Sequence, residues 1–268
     1  MHVGTTLLCV WLGSAFAMTL GWMWQRSRHN AGIVDVIWST CLAAAAVFIA
    51  AVSDGAPIPR ALCGILGGLW GGRLALHLWR RVRAEKEDGR YRYLREHWEG
   101  DQRKFFAFFQ FQALLVVLFA LPFLAASGNH TNELTLWTVL AVSIWVVSVG
   151  GEWLADSQLA RFRADSRNRG RTCREGLWRY SRHPNYFFEW LHWWTYVALS
   201  IGSPLAGLAL AGPLVMYVFL RWLSGIPFTE AQALRTRGED YKAYQKQTSM
   251  LFPWFPARET APEEKRTA

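Results

Sequence analysis

The sequence predicts an all-α, polytopic membrane protein with about seven transmembrane helices. Hydrophobic residues make up 52% of the 268 positions, and the chain carries 16 tryptophans. The apolar residues form uninterrupted segments of the length that crosses a bilayer, about 18 residues or more. Lysine and arginine are concentrated in alternate connecting loops, which is typical of membrane proteins with a fixed orientation.

Seven apolar segments define the expected spans. They cover residues 3–24, 32–53, 58–79, 105–126, 134–155, 186–202 and 204–223. Only the turn at Gly202-Ser203-Pro204 separates the last two, so a helical hairpin is expected there. We expect one transmembrane domain over 1–256, with 150–256 forming a more polar, chemistry-bearing part. The tail at 257–268 is rich in charge and proline and is predicted to be disordered and cytoplasmic.

The basic residues predict the orientation. The loop at 80–104 holds nine Lys and Arg, the loop at 156–185 holds eight, and the chain beyond the last span holds seven. The alternate loops near 54–60, 127–133 and 202–204 carry only Arg60. The positive-inside rule then places the N-terminus outside and the C-terminus in the cytoplasm. The net charge of +9 is assigned to these loops, and no nucleic-acid partner is expected.

Two simpler patterns concern packing and metals. Gly64, Gly68 and Gly72 recur at four-residue spacing in the third span, with Gly67 and Gly71 beside them. Such spacing lets helix backbones approach closely, and we prefer this interpretation to a phosphate-binding loop because no strand precedes it. The four cysteines show no zinc-ligand spacing, so no metal site is predicted.

Polar residues that could carry chemistry cluster between Glu152 and Pro256. Pro184 favours a helix start, after which Asn185, Glu189 and His192 share one helix face. Ionisable groups inside an apolar helix usually line a cavity or pair with a partner. Arg163 and Arg171 offer forked donors that suit phosphates. The combination fits a dinucleotide, an anionic ligand with a polar ring. The alternative is that the arginines only set topology and that Glu189 pairs with Arg182 or Arg221.

The run Gly-Leu-Trp-Arg-Tyr-Ser-Arg-His-Pro-Asn-Tyr at 176–186 closely resembles the C-terminal region of the steroid 5α-reductase-like membrane proteins, and more narrowly their bacterial relatives. Further matching segments are Asp156-Ser157-Gln158-Leu159, Pro227-Phe228-Thr229-Glu230, Asp240-Tyr241-Lys242-Ala243-Tyr244 and Phe252-Pro253. The resemblance is specific over about 150–256. It implies an integral protein of the bacterial inner membrane.

The resemblance also implies NADPH as cofactor, bound at the cytosolic face. By position, Asp156 would hold the adenosine part, and Arg163 and Arg171 the phosphates. Asn185 and Glu189 would hold the nicotinamide ribose and carboxamide. The remaining residues implied for the cofactor site are Arg179, His183, Arg221, Glu230 and Tyr241.

The chain departs from its apparent relatives in three ways. Phe188 stands where the family often has glycine, so the pocket wall could differ. Glu230 is followed by Ala231, whereas the related isoprenylcysteine carboxyl methyltransferases, which use S-adenosylmethionine, tend to have paired glutamates. The Glu/Tyr pair with which steroid reductases grip the substrate carbonyl is not found. Its candidate substitutes as catalytic residues are Asp35, His77 and Tyr186.

These residues lead to three functional hypotheses. The first is NADPH-dependent reduction of a carbonyl-conjugated C=C bond in a steroid-like or other lipid held among the membrane helices. The second is an S-adenosylmethionine-dependent membrane methyltransferase whose donor site includes the Arg-His-Pro turn and Glu230. The third is a non-enzymatic lipid-binding or assembly protein. The expected partners are the lipid substrate and membrane lipids, and the sequence predicts no oligomeric state.

Overall fold

A computed structural model describes residues 1–84 and 86–257 of the chain, and within these residues it contains helices and no strand. The all-α polytopic class is therefore confirmed. The α-helices are α1 (Val3–Arg28), α2 (Ile33–Val52), α3 (Pro57–Ala84), α4 (Gly89–His97), α5 (Gln102–Ser127), α6 (Leu136–Ala164), α7 (Pro184–His192), α8 (Trp194–Leu199), α9 (Ala211–Val218) and α10 (Ile226–Gln247). Short 3-10 helices lie at Ser166–Asn168, Gly176–Arg179 and Ala206–Leu210, and a π-helical turn at Phe219–Leu223.

Among the described residues, six helical stretches are long and apolar enough to cross a membrane, one fewer than the sequence predicts. The difference lies in the predicted sixth span, 186–202. Here the chain forms α7 and α8, which break at Trp193. At about 1.5 Å per residue, neither short helix alone reaches across a hydrocarbon core of about 30 Å.

The chain divides into two compact units. Unit 1 comprises residues 1–145 and 193–216, and unit 2 comprises 146–192 and the chain from 217 onward. In unit 1, α2 packs along α3 and α5, while α1 packs against α2 and α5. Phe105, Phe109, Phe119 and Phe123 of α5 are almost fully buried, so one helix supplies much of the aromatic core of this unit.

The expected packing role of the third-span glycines holds for part of the set. A Cβ atom on Gly64, Gly67 or Gly71 would come within about 3 Å of α2, at Ala50, Ala46 and Ala43 respectively. Gly72, by contrast, faces open space. A Cβ atom on Gly68 would also lie 3.2 Å from Val47 of α2, so the glycines that pack closely on α2 are those at 64, 67, 68 and 71.

The three loops that are poor in lysine and arginine meet within unit 1. The backbone N–H of Ala56 donates to the carbonyl of Asn129 over 2.8 Å. The side-chain amide of Asn129 donates to the carbonyls of Leu199 and Ile201 over 2.8 and 2.9 Å. All three loops therefore lie at one end of unit 1, as the alternation of charge requires.

Unit 2 contains the second half of α6, the polar segment at 165–183, α7, α10 and an extended segment at 248–257. The kink in α10 falls at Gly238, whose φ of 51° and ψ of −121° are not helical. Most of the tail predicted to be disordered, from residue 258 onward, lies outside the described residues.

Candidate functional site

The segment 176–183 is fixed to α6 by two hydrogen bonds. Gly176 begins it with a φ of +58°, a conformation that glycine adopts without steric cost. The backbone N–H of Leu177 then donates to Oε1 of Gln158 over 2.9 Å. The indole of Trp178 donates to the carbonyl of Ala155 over 2.8 Å. These contacts hold the start of the Arg-His-Pro turn against the α6 residues that include Asp156.

The same segment is also bound by residues near the C-terminus. The Ser181 hydroxyl donates to the carbonyl of Leu251 over 2.8 Å and accepts the backbone N–H of His183. The Tyr244 phenol donates to the carbonyls of Trp178 and Ser181. Buried backbone carbonyls need such donors, so these contacts stabilise the conformation of this turn.

Arg182 and Glu230 form the centre of a polar knot, which we define as Arg182, His183, Glu230, Tyr241 and Gln245. Nε of Arg182 lies 2.7 Å from Oε1 of Glu230, and both side chains are mostly buried. Arg182 also donates to the carbonyls of Gln245 and Thr248. Gln245 and Tyr241 donate to the Glu230 carboxylate over 2.8 and 3.4 Å. The carboxylate is therefore saturated by internal donors.

His183 completes the polar knot. Its Nε2 lies 3.2 Å from Oε1 of Glu230. Burial lowers the pKa of His183, although the neighbouring carboxylate opposes this shift. The ring is therefore neutral at pH 7. It also stacks on the Tyr186 ring, with the two ring centroids 5.5 Å apart. Three residues predicted for the cofactor site, His183, Glu230 and Tyr241, thus bind one another.

Asp156 and Asn185 meet although they are 29 residues apart. Nδ2 of Asn185 donates to Oδ1 of Asp156 over 3.2 Å, and Oδ1 of Asn185 accepts the backbone N–H of Tyr186. Pro184 starts α7, as the sequence predicts. Glu189 lies one turn further along α7, half-buried, and His192 at its end is buried.

An arginine-rich surface surrounds residues 171–174. Arg163 and Arg171 are exposed, and Arg163 and Arg237 are close enough to act electrostatically on the Cys173 thiol. The pKa of that thiol is raised, chiefly by burial. Asp240 holds the segment from α10 by accepting the backbone N–H of Thr172 over 2.7 Å and Nη2 of Arg174 over 2.9 Å.

Thr172 contributes an observation of its own. Its hydroxyl is buried beside the Asp240 carboxylate, and together with its backbone N–H it helps to lower the pKa of that carboxyl group. Thr172 lies in the segment that carries Arg171 and Arg174, where an anion would find donors.

The other predicted cofactor residues lie elsewhere in unit 2. Arg179 is exposed at the end of its 3-10 helix. Arg221 lies in the π-helical turn with its guanidinium 5.6 Å from the Trp222 ring. The sequence interpretation did not identify Gln158, Arg174, Asp240 or Gln245 as site residues. Asp240 belongs to a quoted motif, but its contact with Thr172 spans 68 residues and has no local signal in the sequence.

The three catalytic candidates belong to different units. Asp35 lies at the start of α2 in unit 1, where it accepts hydrogen bonds from Arg90 over 3.1 Å and the Tyr91 phenol over 2.7 Å. His77 is exposed on α3, also in unit 1. Tyr186 lies in unit 2, directly after Asn185. Only Tyr186 belongs to the unit that contains the residues predicted to bind the cofactor.

One family matches the chain: the family described as "Protein of unknown function (DUF1295)" aligns with residues 21–248. The chain belongs to the DUF1295 family. No curated protein and no solved structure matches it. The DUF1295 match includes every residue predicted for catalysis or cofactor binding, from Asp35 to Tyr241. It stops before Leu251, whose carbonyl accepts the Ser181 hydroxyl.

Proposed function

We propose that this DUF1295 protein is a membrane-embedded oxidoreductase that uses NADPH to reduce a carbonyl-conjugated C=C bond in a lipid. The contact between Asp156 and Asn185 carries the proposal. The resemblance to the steroid 5α-reductase-like proteins assigns these residues to opposite ends of one dinucleotide, the adenosine and the nicotinamide ribose. Because the two side chains are in contact, a dinucleotide that touches both must be folded back, and we propose such a compact cofactor site in unit 2.

The arginine-rich surface fits the phosphates of such a cofactor. Arg163 and Arg171 are exposed, so their forked donors are accessible to phosphate oxygens. The polar knot has a different role in this proposal: it holds the Arg-His-Pro turn in place, and Asn185 and Tyr186 with it.

The chemistry required of the protein is modest. NADPH, when bound, would supply the hydride to the β-carbon of the substrate. Tyr186 would donate a hydrogen bond to the carbonyl oxygen, on which negative charge develops. The resulting enolate then takes a proton from water at its α-carbon, which completes the addition of one hydride and one proton across the C=C bond. The Tyr186 ring is already oriented by stacking on His183, and a fixed donor costs little reorganisation during the reaction.

Binding of NADPH to the purified, detergent-solubilised protein tests the proposal. We expect saturable binding by calorimetry, weakened at least tenfold in Asn185→Ala and in Arg163→Gln/Arg171→Gln. Arg103→Gln, which removes an exposed arginine of unit 1, is the matched control and should bind normally. If NADPH does not bind, or if all variants bind equally, the proposal is wrong. NADPH consumption on addition of an enone lipid, with loss in Tyr186→Phe, tests the reaction itself.

The methyltransferase hypothesis is favoured by one observation, the contact of the Arg-His-Pro turn with Glu230. That hypothesis places the donor beside these residues. It predicts that the purified protein binds S-adenosylmethionine, ignores NADPH and transfers a labelled methyl group to membrane lipid. Because internal partners saturate Glu230, we prefer the oxidoreductase.

A further inference from the structure

Unit 1 contains a cavity that the proposed function does not use. It has a volume of about 620 Å³ and lies where α1 and α3 end. The lining residues are Trp24, Arg28, His29, Asn30, Trp79, Val82, Arg83, Lys86 and Glu87. The lining is thus composed mainly of cations and indole rings.

Three of the positive charges in the cavity have no acidic partner among the residues that the structure describes. None of the ion pairs among residues 1–84 and 86–257 involves Arg28, Arg83 or Lys86. The carboxylate of Glu87, in contrast, is bound by Arg95 through two hydrogen bonds and by the backbone N–H of Ala31. The cavity therefore has a net positive charge. The C-terminal ends of α1 and α3 add partial negative charge, so only the side chains can attract an anion here.

The rim of the cavity is held in a fixed shape. His29 ends α1 with a φ of 51° and donates its backbone N–H to the carbonyl of Gln25. The side chain of Asn30 donates to the carbonyl of Val82 and accepts the backbone N–H of Gly32. These bonds tie the α1–α2 connection to α3, so the cations of both helices stay together.

The aromatic residues indicate which kind of anion fits. Trp24 and Trp79 pack with ring centroids 6.4 Å apart, and the Arg83 guanidinium lies over the Trp79 ring. Tryptophan is enriched where membrane helices meet the headgroup region. One turn deeper on the same helix faces, Leu20 and Leu76 are exposed. A ligand with a phosphate at the cations and apolar chains along these leucines fits this arrangement.

We propose that this cavity binds the phosphate headgroup of an anionic membrane lipid, with its acyl chains against α1 and α3. The site lies wholly in unit 1 and does not depend on the proposed function. Each basic residue near a membrane surface adds about a fivefold factor to the attraction of anionic lipid. Loss of two such charges should therefore weaken binding about 25-fold.

Short-chain phosphatidylglycerol is the probe, added to the full-length protein in neutral detergent and measured by calorimetry. We expect it to bind more tightly than phosphatidylcholine of the same chain length. Binding should fall about 25-fold in Arg83→Gln/Lys86→Gln and persist in Arg83→Lys/Lys86→Arg. Arg103→Gln/Lys104→Gln removes an adjacent exposed Arg-Lys pair outside the cavity and is the matched control.

Three outcomes would overturn the proposal. They are equal binding of the two lipids, an equal loss in the control pair, and glycerol phosphate binding as tightly as the lipid, which would indicate a soluble anion. The melting temperature of each variant, measured without lipid, separates loss of the site from loss of the fold. If Arg83→Gln/Lys86→Gln is unstable, the single variants Arg83→Gln and Lys86→Gln should each show about a fivefold loss.

Discussion

The carboxylate of Glu230 is the acceptor on which much of the polar structure of unit 2 depends. It takes donors from Arg182, Tyr241 and Gln245, and it lies beside His183. A charge that is mostly buried is costly once its partner is removed. Glu230, which the resemblance assigned to the cofactor site, therefore stabilises the Arg-His-Pro turn next to that site.

Glu230→Ala should lower the free energy of unfolding by about 3 kcal/mol, because Arg182 would keep a largely buried charge without its counter-ion. Glu239→Ala is the matched control on the same helix. Glu239 pairs with Lys242 on an exposed surface, where water screens the two charges, so its removal should leave the free energy of unfolding almost unchanged. Unfolding in mixed micelles measures both values. Similar losses in the two variants would contradict this role of Glu230.

The lowered pKa of His183 predicts a pH dependence of stability. The unfolded chain takes up a proton near the ordinary pKa of about 6.5, while the folded protein does so only at lower pH. Stability should therefore fall as the pH drops below about 6.5, and this part of the loss ends below the folded-state pKa. Melting temperatures between pH 5 and 8 measure it. His183→Gln should flatten the curve over that range, whereas His130→Gln, an exposed control, should not.

At the level of elements, α7 packs closely on α6 through an unusual pair. A Cβ atom on Gly151 would lie 2.4 Å from the ring of Phe188, so the ring rests directly on the α6 backbone. The resemblance to the steroid 5α-reductase-like proteins implies a glycine at the position of Phe188. Within this chain, Gly151 supplies the space that the larger side chain needs.

Gly151→Ala should therefore destabilise the protein by about 2 kcal/mol through overpacking. Its neighbour Gly150 has open space around it, so Gly150→Ala should be neutral or slightly stabilising in the helix. In a Phe188→Ala background, Gly151→Ala should cost much less, and thermal unfolding of the four variants measures this coupling. Additive effects would show that the two positions are independent.

How far sequence reasoning succeeds depends on the range of the contacts. The first five long helices begin within three residues of the predicted starts, because the apolar signal is local and repeated over a whole span. Their ends were predicted less well, since α6 continues nine residues beyond the apolar segment. The break at Trp193 was not predicted, because the aromatic-rich composition of residues 190–196 gives no local signal that the helix is interrupted there. Trp193 packs on Trp70 and Phe123, and these partners are far away in sequence.

The candidate site shows the same limit. Asn185 and Asp156 were identified through motifs, and the structure brings them together. The saturation of Glu230 could not be foreseen, because Arg182 and Glu230 are 48 residues apart and each could have faced a ligand. Local patterns identify which residues are polar and clustered, whereas long-range packing decides which of them remain available.

For the whole molecule, the meeting of the three basic-poor loops yields a topology prediction. In a background lacking the native cysteines, His130→Cys and Ile201→Cys should react with a membrane-impermeant maleimide in intact cells. Arg92→Cys should react only after lysis, because its loop is predicted to be cytoplasmic. Labelling of Ile201→Cys only after lysis would show that the chain from α7 to α8 does not return to the outer face.

The extended segment at 248–257 has a consequence for how the protein is made. The carbonyl that accepts the Ser181 hydroxyl lies 70 residues downstream, at Leu251. At a synthesis rate of about 5–20 residues per second, the ribosome needs roughly 4–14 s to add that length. During this interval the Arg-His-Pro turn has been synthesised, but the Leu251 carbonyl that accepts the Ser181 hydroxyl has not. Unit 2 therefore closes late in biogenesis, and a transcript truncated just before Leu251 would yield a chain that retains all six long apolar stretches but cannot complete this turn.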